Sequence, residues 1–289
     1  MRRLAAGLLA AGLLSGCNSA PQGGAFSRGT VHPNLTYCNS QRLDLYIPRI
    51  AVTNQLPVAL YVHGGGMTGG AKSDLNPIFL DALTSAGYAV AAVNYRLAPM
   101  FHFPAQIEDV KCAIRYLRHE ARKFGLNASH IYAFGTSVGG QLVALAALTG
   151  PKSAFDVGPY LTEPSNLAAA VDMFGPANLA ERASGFSAFD IHQVFGKNRH
   201  QALFASPTHF VAPNAPPILL VQGIEDKLVL KSQSMELYRD LKATGNRTQL
   251  VLVRNMGHMF AQVGSKRIKP GLSRIAKMMV HFFDTARIG

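Results

Sequence analysis

Tryptophan is absent from the 289 residues, and cysteine occurs only three times. Cys17, Cys38 and Cys112 stand at no spacing used by metal sites, so nothing in them points to a bound metal. Acidic side chains are scarce: 16 Asp and Glu stand against 28 Lys and Arg, a formal net charge of +12. The basic residues are scattered, with no basic run and no nucleic-acid motif, so nucleic acid is not an indicated partner. A diffuse positive field favours anionic surfaces in general, lipid or polysaccharide, or serves solubility alone. The N-terminal apolar stretch from Leu4 to Leu14 is far shorter than the roughly 20 residues a spanning helix needs. No Gly-Lys-Ser/Thr pattern follows the glycine-rich segments, which excludes a P-loop, and no internal repeat is present. What remains is 48% hydrophobic and 15% charged. That is ample for one large core and too short for two comfortable α/β domains.

Arg2 and Arg3 before the apolar stretch give residues 1–16 the charged and apolar regions of a secretory signal. Leu14-Ser15-Gly16-Cys17 then resembles the lipobox of bacterial lipoproteins, in which the cysteine is diacylated and becomes the mature N-terminus. That resemblance implies a lipid anchor at Cys17 and an extracytoplasmic, membrane-anchored protein, facing the periplasm or the cell surface. Acyl chains add roughly 0.8 kcal/mol of membrane affinity per buried CH₂. Residues 17–30 are rich in Gly, Ser and Ala and read as a flexible tether. Residues 31–289 are left as a single catalytic domain. Cys38 and Cys112 can pair in an oxidising compartment, or Cys112 can be a buried thiol on a helix; the sequence leaves both open.

From about Leu43 onward, apolar runs of strand length alternate with helical patterns. Strands are expected at 43–47, 58–62, 89–93, 131–134, 168–173, 217–221 and 249–253, several apolar throughout, as strands covered on both faces are. Helices are expected at 75–86, 106–124, 138–148, 232–244 and 272–285. In the second of these, Ile107, Val110, Ile114, Leu117 and Ala121 form a core-facing stripe. Glu108 and Asp109 in its first turn complement the helix macrodipole. This alternation predicts an α/β fold with a mostly parallel central sheet and helices on both faces. Residues 176–213 break the rhythm and read as a small inserted cap. Its Phe186, Phe189, Phe195, Phe204 and Phe210 either line a pocket or form the cap's own core.

Gly135-Thr136-Ser137-Val138-Gly139 lies between a strand and a helix and fits a nucleophile elbow, with a plain glycine-rich turn as the alternative. A serine hydroxyl is a poor nucleophile unless a base, an acid and oxyanion donors assist it. His63-Gly64-Gly65-Gly66 follows an expected strand and suits an oxyanion loop, its donors being the amides of Gly65, Gly66 and Val138. His63 reads as a brace for that loop and not as the base. Asp226 stands after the 217–221 strand, at the sheet edge where ligands of open α/β sheets bind. Glu225 is the close competitor and Asp172 a more distant one. His258 follows the last expected strand. The order Ser137, Asp226, His258 is that of α/β-hydrolases and differs from chymotrypsin and subtilisin.

With Val62–Gly66, Gly69–Asp74, Val93–Pro99 and Phe103–Val110 added, the chain resembles α/β-hydrolase serine esterases with an HGGG loop over most of residues 40–285. The resemblance lies near small carboxylesterases, hormone-sensitive-lipase-like proteins and bacterial feruloyl- or acetyl-esterase-like proteins. It implies an eight-stranded sheet, an acyl-enzyme route for small-molecule or polysaccharide esters, short-chain or aryl, and no metal or organic cofactor. It carries the catalytic roles onto Ser137, Asp226 and His258. An amide hydrolase of the arylformamidase or peptidase type would use the same triad, and a catalytically silent binding protein would keep only the fold. Met67 and Met100 stand where relatives often carry an aromatic residue and Glu, so substrate identity does not transfer.

Overall fold

The computed structural model describes residues 29–49, 55–180, 188–196, 198 and 200–288. Cys17, the signal segment, most of the tether and Phe186 lie outside the described residues, as does the side chain of Phe189.

The strands are β1 (Gly29–Thr36), β2 (Arg42–Pro48), β3 (Leu56–Val62), β4 (Ala89–Val93), β5 (Leu126–Thr136), β6 (Ala170–Met173), β7 (Ile218–Gly223) and β8 (Thr248–Val253). They form one sheet in the order β1-β2-β4-β3-β5-β6-β7-β8. β1 and β2 pair antiparallel, as do β2 and β4, and every pairing from β4 to β8 is parallel. The expected strands are all present. β1 is an addition, and it takes in Gly29 and Thr30, which composition assigns to the tether. Pro33 within it and its mixed exposure suit an edge strand.

The helices are α1 (Pro77–Ser85), α2 (Ala105–His119), α3 (Ala121–Phe124), α4 (Val138–Thr149), α5 (Ala188–Phe195), α6 (Gln201–Phe204), α7 (Lys231–Ala243) and α8 (Leu272–Ile288). The single helix expected over 106–124 is broken at Glu120 into α2 and α3, and Gly125 closes α3 in the left-handed conformation. Because strand side chains alternate between faces, β3 feeds two cores. Val58, Leu60 and Val62 pack on one face with α2, α4 and α7, while Ala59 and Tyr61 pack on the other with α1 and α8. Burial of both faces explains the unbroken apolar sequence of β3 and β4.

In the cap region Phe195 is buried and stacks edge-on against Phe103, and Phe210 packs against Phe155. These rings join the main core instead of forming a core of their own. Phe204 is 49% exposed. Among the described residues no helix is long and apolar enough to cross a membrane.

Cys38 and Cys112 form a disulfide that ties the β1–β2 turn to α2. The bridge closes a loop of 74 residues, so chain-entropy arguments give it about 4 kcal/mol. The double variant Cys38→Ser/Cys112→Ser is expected to lose about that much unfolding free energy and to unfold at a lower guanidinium midpoint, with a steeper denaturant slope because the uncrosslinked unfolded chain exposes more surface. A midpoint equal to that of the parent would refute the contribution.

Candidate active site

β5 runs through the middle of the sheet and delivers Ser137 at its C-terminal end, directly before α4. Ser137 adopts φ 55°, ψ −128°, a region that non-glycine residues rarely enter and that marks stored strain. The Ser137 N–H donates to the Met173 carbonyl at 2.9 Å, which pins the corner to β6. At Gly139 a Cβ would lie 2.1 Å from the Val62 carbonyl oxygen. The glycine is therefore required for α4 to start this close to β3. Ser137 itself is 8% exposed.

The residues after β3 fold against this corner. A Cβ on Gly64 would meet the Ser137 Cβ at 3.3 Å, so the His63–Gly66 loop lies directly beside the serine. Gly65 sits at φ 105°, and its carbonyl accepts from the N–H groups of Thr68 and Gly69. The amides of Gly65 and Gly66 donate to no backbone acceptor among the described residues. The Val138 N–H, at the start of α4, belongs to the turn that has no intrahelical partner. The Gly64 end of the predicted oxyanion loop thus lies against Ser137, and Val138 follows the serine directly at the start of α4.

His63 is a brace, as expected. Its Nδ1 lies 2.7 Å from the Gly64 carbonyl, so that nitrogen carries the proton and donates. The ring stacks on Tyr95 with centroids 4.1 Å apart. Burial pushes its pKa down, which keeps the ring neutral. Tyr95 in turn donates from its hydroxyl to the His63 carbonyl at 3.0 Å.

A second support was not legible in sequence. Arg96 Nε donates to both Asp109 carboxylate oxygens, at 3.0 and 2.9 Å, and its Nη2 reaches Glu108 at 2.9 Å. The two acids at the start of α2 therefore clamp the 94–99 segment as well as complementing the dipole. Ala98 N–H then donates to the Met67 carbonyl at 2.8 Å, tying that segment to the glycine loop. Met67 is buried in the main core, whereas Met100 is 82% exposed.

β7 ends at Gly223, and the following turn buries Asp226. Its Oδ1 accepts from the N–H groups of Leu228 and Val229 at 2.9 and 3.0 Å. Its Oδ2 lies 2.8 Å from His258 Nδ1. His258 follows β8, and its Nε2 lies 3.0 Å from Ser137 Oγ. The edge of the Phe174 ring packs against the imidazole, 5.1 Å between centroids. Serine, histidine and aspartate thus form one continuous relay joining three strand ends.

The two competing acids do other things. The Glu225 carboxylate accepts from the Met256 N–H at 3.1 Å and so anchors the histidine loop. Asp172 does not touch His258. It is buried in β6, accepts from the Gly175 N–H at 2.8 Å, and has no partner for Oδ2 among the described residues. Desolvation by burial lifts its pKa to about 7 from an ordinary 3.8, with the Gly175 bond opposing. Between those values the folded state holds a proton that the unfolded chain has released. Stability therefore falls as pH rises from about 4 to about 7, by up to about 4 kcal/mol from this group. Asp172→Asn keeps an acceptor for Gly175 and cannot ionise. Its thermal midpoint is expected to lose most of that slope and to exceed the parent's at pH 8; a parallel pair of pH–midpoint curves would contradict this.

Comparison with known proteins gives one consistent picture. The family model BD-FAE matches residues 43–241. Esterase LipC of Mycobacterium tuberculosis is 29% identical over 247 residues, covering 82% of this chain and 61% of LipC. An ethyl acetate hydrolase of Pseudomonas putida is 28% identical over 214 residues, covering 71% of this chain and 66% of that protein. The chain thus spans about three fifths to two thirds of the length of these curated relatives. Among solved structures, a truncated form of a carbohydrate esterase from gut microbiota superposes with a TM-score of 0.79 at 27% identity, covering 91% of this chain and 98% of that one.

Proposed function

We propose, since the chain belongs to the BD-FAE family, that it is a carboxylic ester hydrolase working through an acyl-enzyme on Ser137. The observation that carries this reading is the unbroken relay: Ser137 Oγ to His258 Nε2 at 3.0 Å, and His258 Nδ1 to Asp226 Oδ2 at 2.8 Å. His258 takes the serine proton as Oγ attacks the ester carbonyl, and Asp226 holds the tautomer and stabilises the imidazolium. The N–H groups of Gly65, Gly66 and Val138 receive the oxyanion of the tetrahedral intermediate. His258 then returns its proton to the departing alcohol. Water, activated by the same imidazole, attacks the acyl carbonyl and frees Ser137. No step calls on a metal or an organic cofactor.

The substrate class is a small-molecule or polysaccharide ester with a short acyl or an aryl group. Similarity to an ethyl acetate hydrolase and to a carbohydrate esterase supports that choice. Turnover of p-nitrophenyl esters of increasing chain length, alongside a feruloyl ester and matched anilides, tests it. The expected optimum is at acetate or butyrate, with anilides at least a hundredfold slower. Hydrolysis of anilides alone would replace the ester reading with an amide one.

The protein is further read as acting outside the cytoplasm, anchored through diacylated Cys17. The Leu14–Cys17 motif supports this, and so does the Cys38–Cys112 disulfide, since such bridges persist in oxidising compartments. Palmitate incorporation that survives in Cys17→Ala would refute the anchor.

A further inference from the structure

The loops that carry the acid and the base share an unusual surface. They meet through the Asp226–His258 bond, and a Cβ on Gly257 would stand 3.1 Å from Val263 Cγ2 and 3.8 Å from the Glu225 carbonyl oxygen. Around this junction large apolar side chains face solvent: Leu228 at 53%, Met259 at 51%, with Leu230 and Val263 close behind. Exposed apolar side chains gathered in one place mark interaction surfaces more often than isolated ones do.

The exposed charges on the same loops are all of one sign. Lys227, Lys231, Lys266, Arg267 and Lys269 are exposed. None of them forms an ion pair among the described residues. Between Asp240 and Asp284 the chain contains eight Lys and Arg and no acidic residue. The acids nearest the junction, Glu225 and Asp226, turn inward onto the Met256 amide and onto His258. The exposed charge carried by these two loops among the described residues is therefore basic.

From this juxtaposition we infer that the acid and base loops form a docking surface for an anionic phospholipid bilayer, which turns the mouth of the active site toward the membrane. Apolar side chains that enter the headgroup boundary, with cations beside them that pair with lipid phosphates, are the two components of interfacial binding. The apolar share favours a bilayer over an acidic polysaccharide, which would leave Leu228, Leu230, Met259 and Val263 in water. This inference concerns a surface and not the reaction, so it stands independently of ester hydrolysis.

The test uses the full chain carrying Cys17→Ala, so that no acyl anchor can form. Partitioning is measured by sedimentation with vesicles of phosphatidylcholine alone and of equimolar phosphatidylcholine and phosphatidylglycerol. The parent is expected to bind the anionic vesicles and to bind the zwitterionic ones far less. Lys266→Gln/Arg267→Gln/Lys269→Gln is expected to bind the anionic vesicles about 100-fold more weakly, at about 1 kcal/mol per basic residue. Leu230→Ser/Val263→Ser is expected to lose on the order of tenfold. Both variants should hydrolyse soluble p-nitrophenyl butyrate like the parent, which reports that they fold.

Equal binding to the two vesicle types, or unchanged binding by both folded variants, overturns the inference. Loss of retention on a polygalacturonate gel with vesicle binding intact overturns it in favour of an acidic polysaccharide. If no variant, nor the parent, hydrolyses any ester while the charge-dependent vesicle binding persists, the ester reading fails and the docking surface stands.

Discussion

Ser137→Ala is expected to lower kcat for p-nitrophenyl acetate about a million-fold, to the level set by binding and oxyanion stabilisation alone. The change removes one oxygen from a residue whose backbone is held independently of it. The Ser137 N–H remains on the Met173 carbonyl, and Gly135 and Gly139 still admit the tight corner. Circular dichroism and the thermal midpoint should therefore match the parent, and KM should move little. Initial-rate measurements decide the matter: residual activity above one part in a thousand, in a preparation free of parent protein, contradicts the assignment.

Asp226→Asn is the second large effect, about ten-thousand-fold in kcat, and its cause can be read from the hydrogen bonds. Oδ1 of Asp226 accepts from the Leu228 and Val229 amides, so an asparagine keeps its carbonyl oxygen there. Its NH₂ group then faces His258 Nδ1, which must become an acceptor. The imidazole proton is forced onto Nε2, where it points at Ser137 Oγ and can no longer receive the serine proton. Glu225 cannot substitute, because its carboxylate is engaged with the Met256 N–H. The expected profile is a collapse of kcat with little change in KM, measured by steady-state kinetics near neutral pH. A loss below tenfold would mean that another group orients the base.

The triad was legible because each of its members is announced locally. Ser137 sits between glycines at a strand-to-helix junction, Asp226 follows an apolar strand, and His258 follows the last strand. Parallel sheets place such positions at one edge. The same locality marks the glycine loop and Val138 as oxyanion candidates and sets His63 apart as a brace.

What sequence did not reveal depends on residues distant in the chain. Arg96 meets Asp109 only after α2 folds back on the 94–99 segment, and Tyr95 reaches His63 across 32 positions. Nothing within a local window distinguishes those acids from ordinary macrodipole partners. β1 carries Pro33 and no clean alternation, so as an edge strand it lacks the signal that marks β3 and β4. Cys38 and Cys112 are 74 residues apart, and only the packing of the β1–β2 turn on α2 brings their Cα atoms to 6.2 Å. Phe174, at φ 49° and edge-on to the His258 imidazole, follows an apolar strand and reads as ordinary core.

The departures at Met67 and Met100 also acquire a meaning. Met67 belongs to the buried core and fixes the glycine loop through its carbonyl, so its side chain contributes to stability. Met100 stands in solvent. Neither side chain takes part in the Ser137–His258–Asp226 relay.

The most direct test of Ser137 as the acylated nucleophile is mass spectrometry of the intact protein, and then of its peptides, after treatment with a fluorophosphonate. A single adduct is expected, on the peptide containing Ser137, absent in Ser137→Ala and formed at least a thousandfold more slowly in His258→Ala. An esterase-active preparation that takes up no label, or that carries it on another serine, would contradict the account.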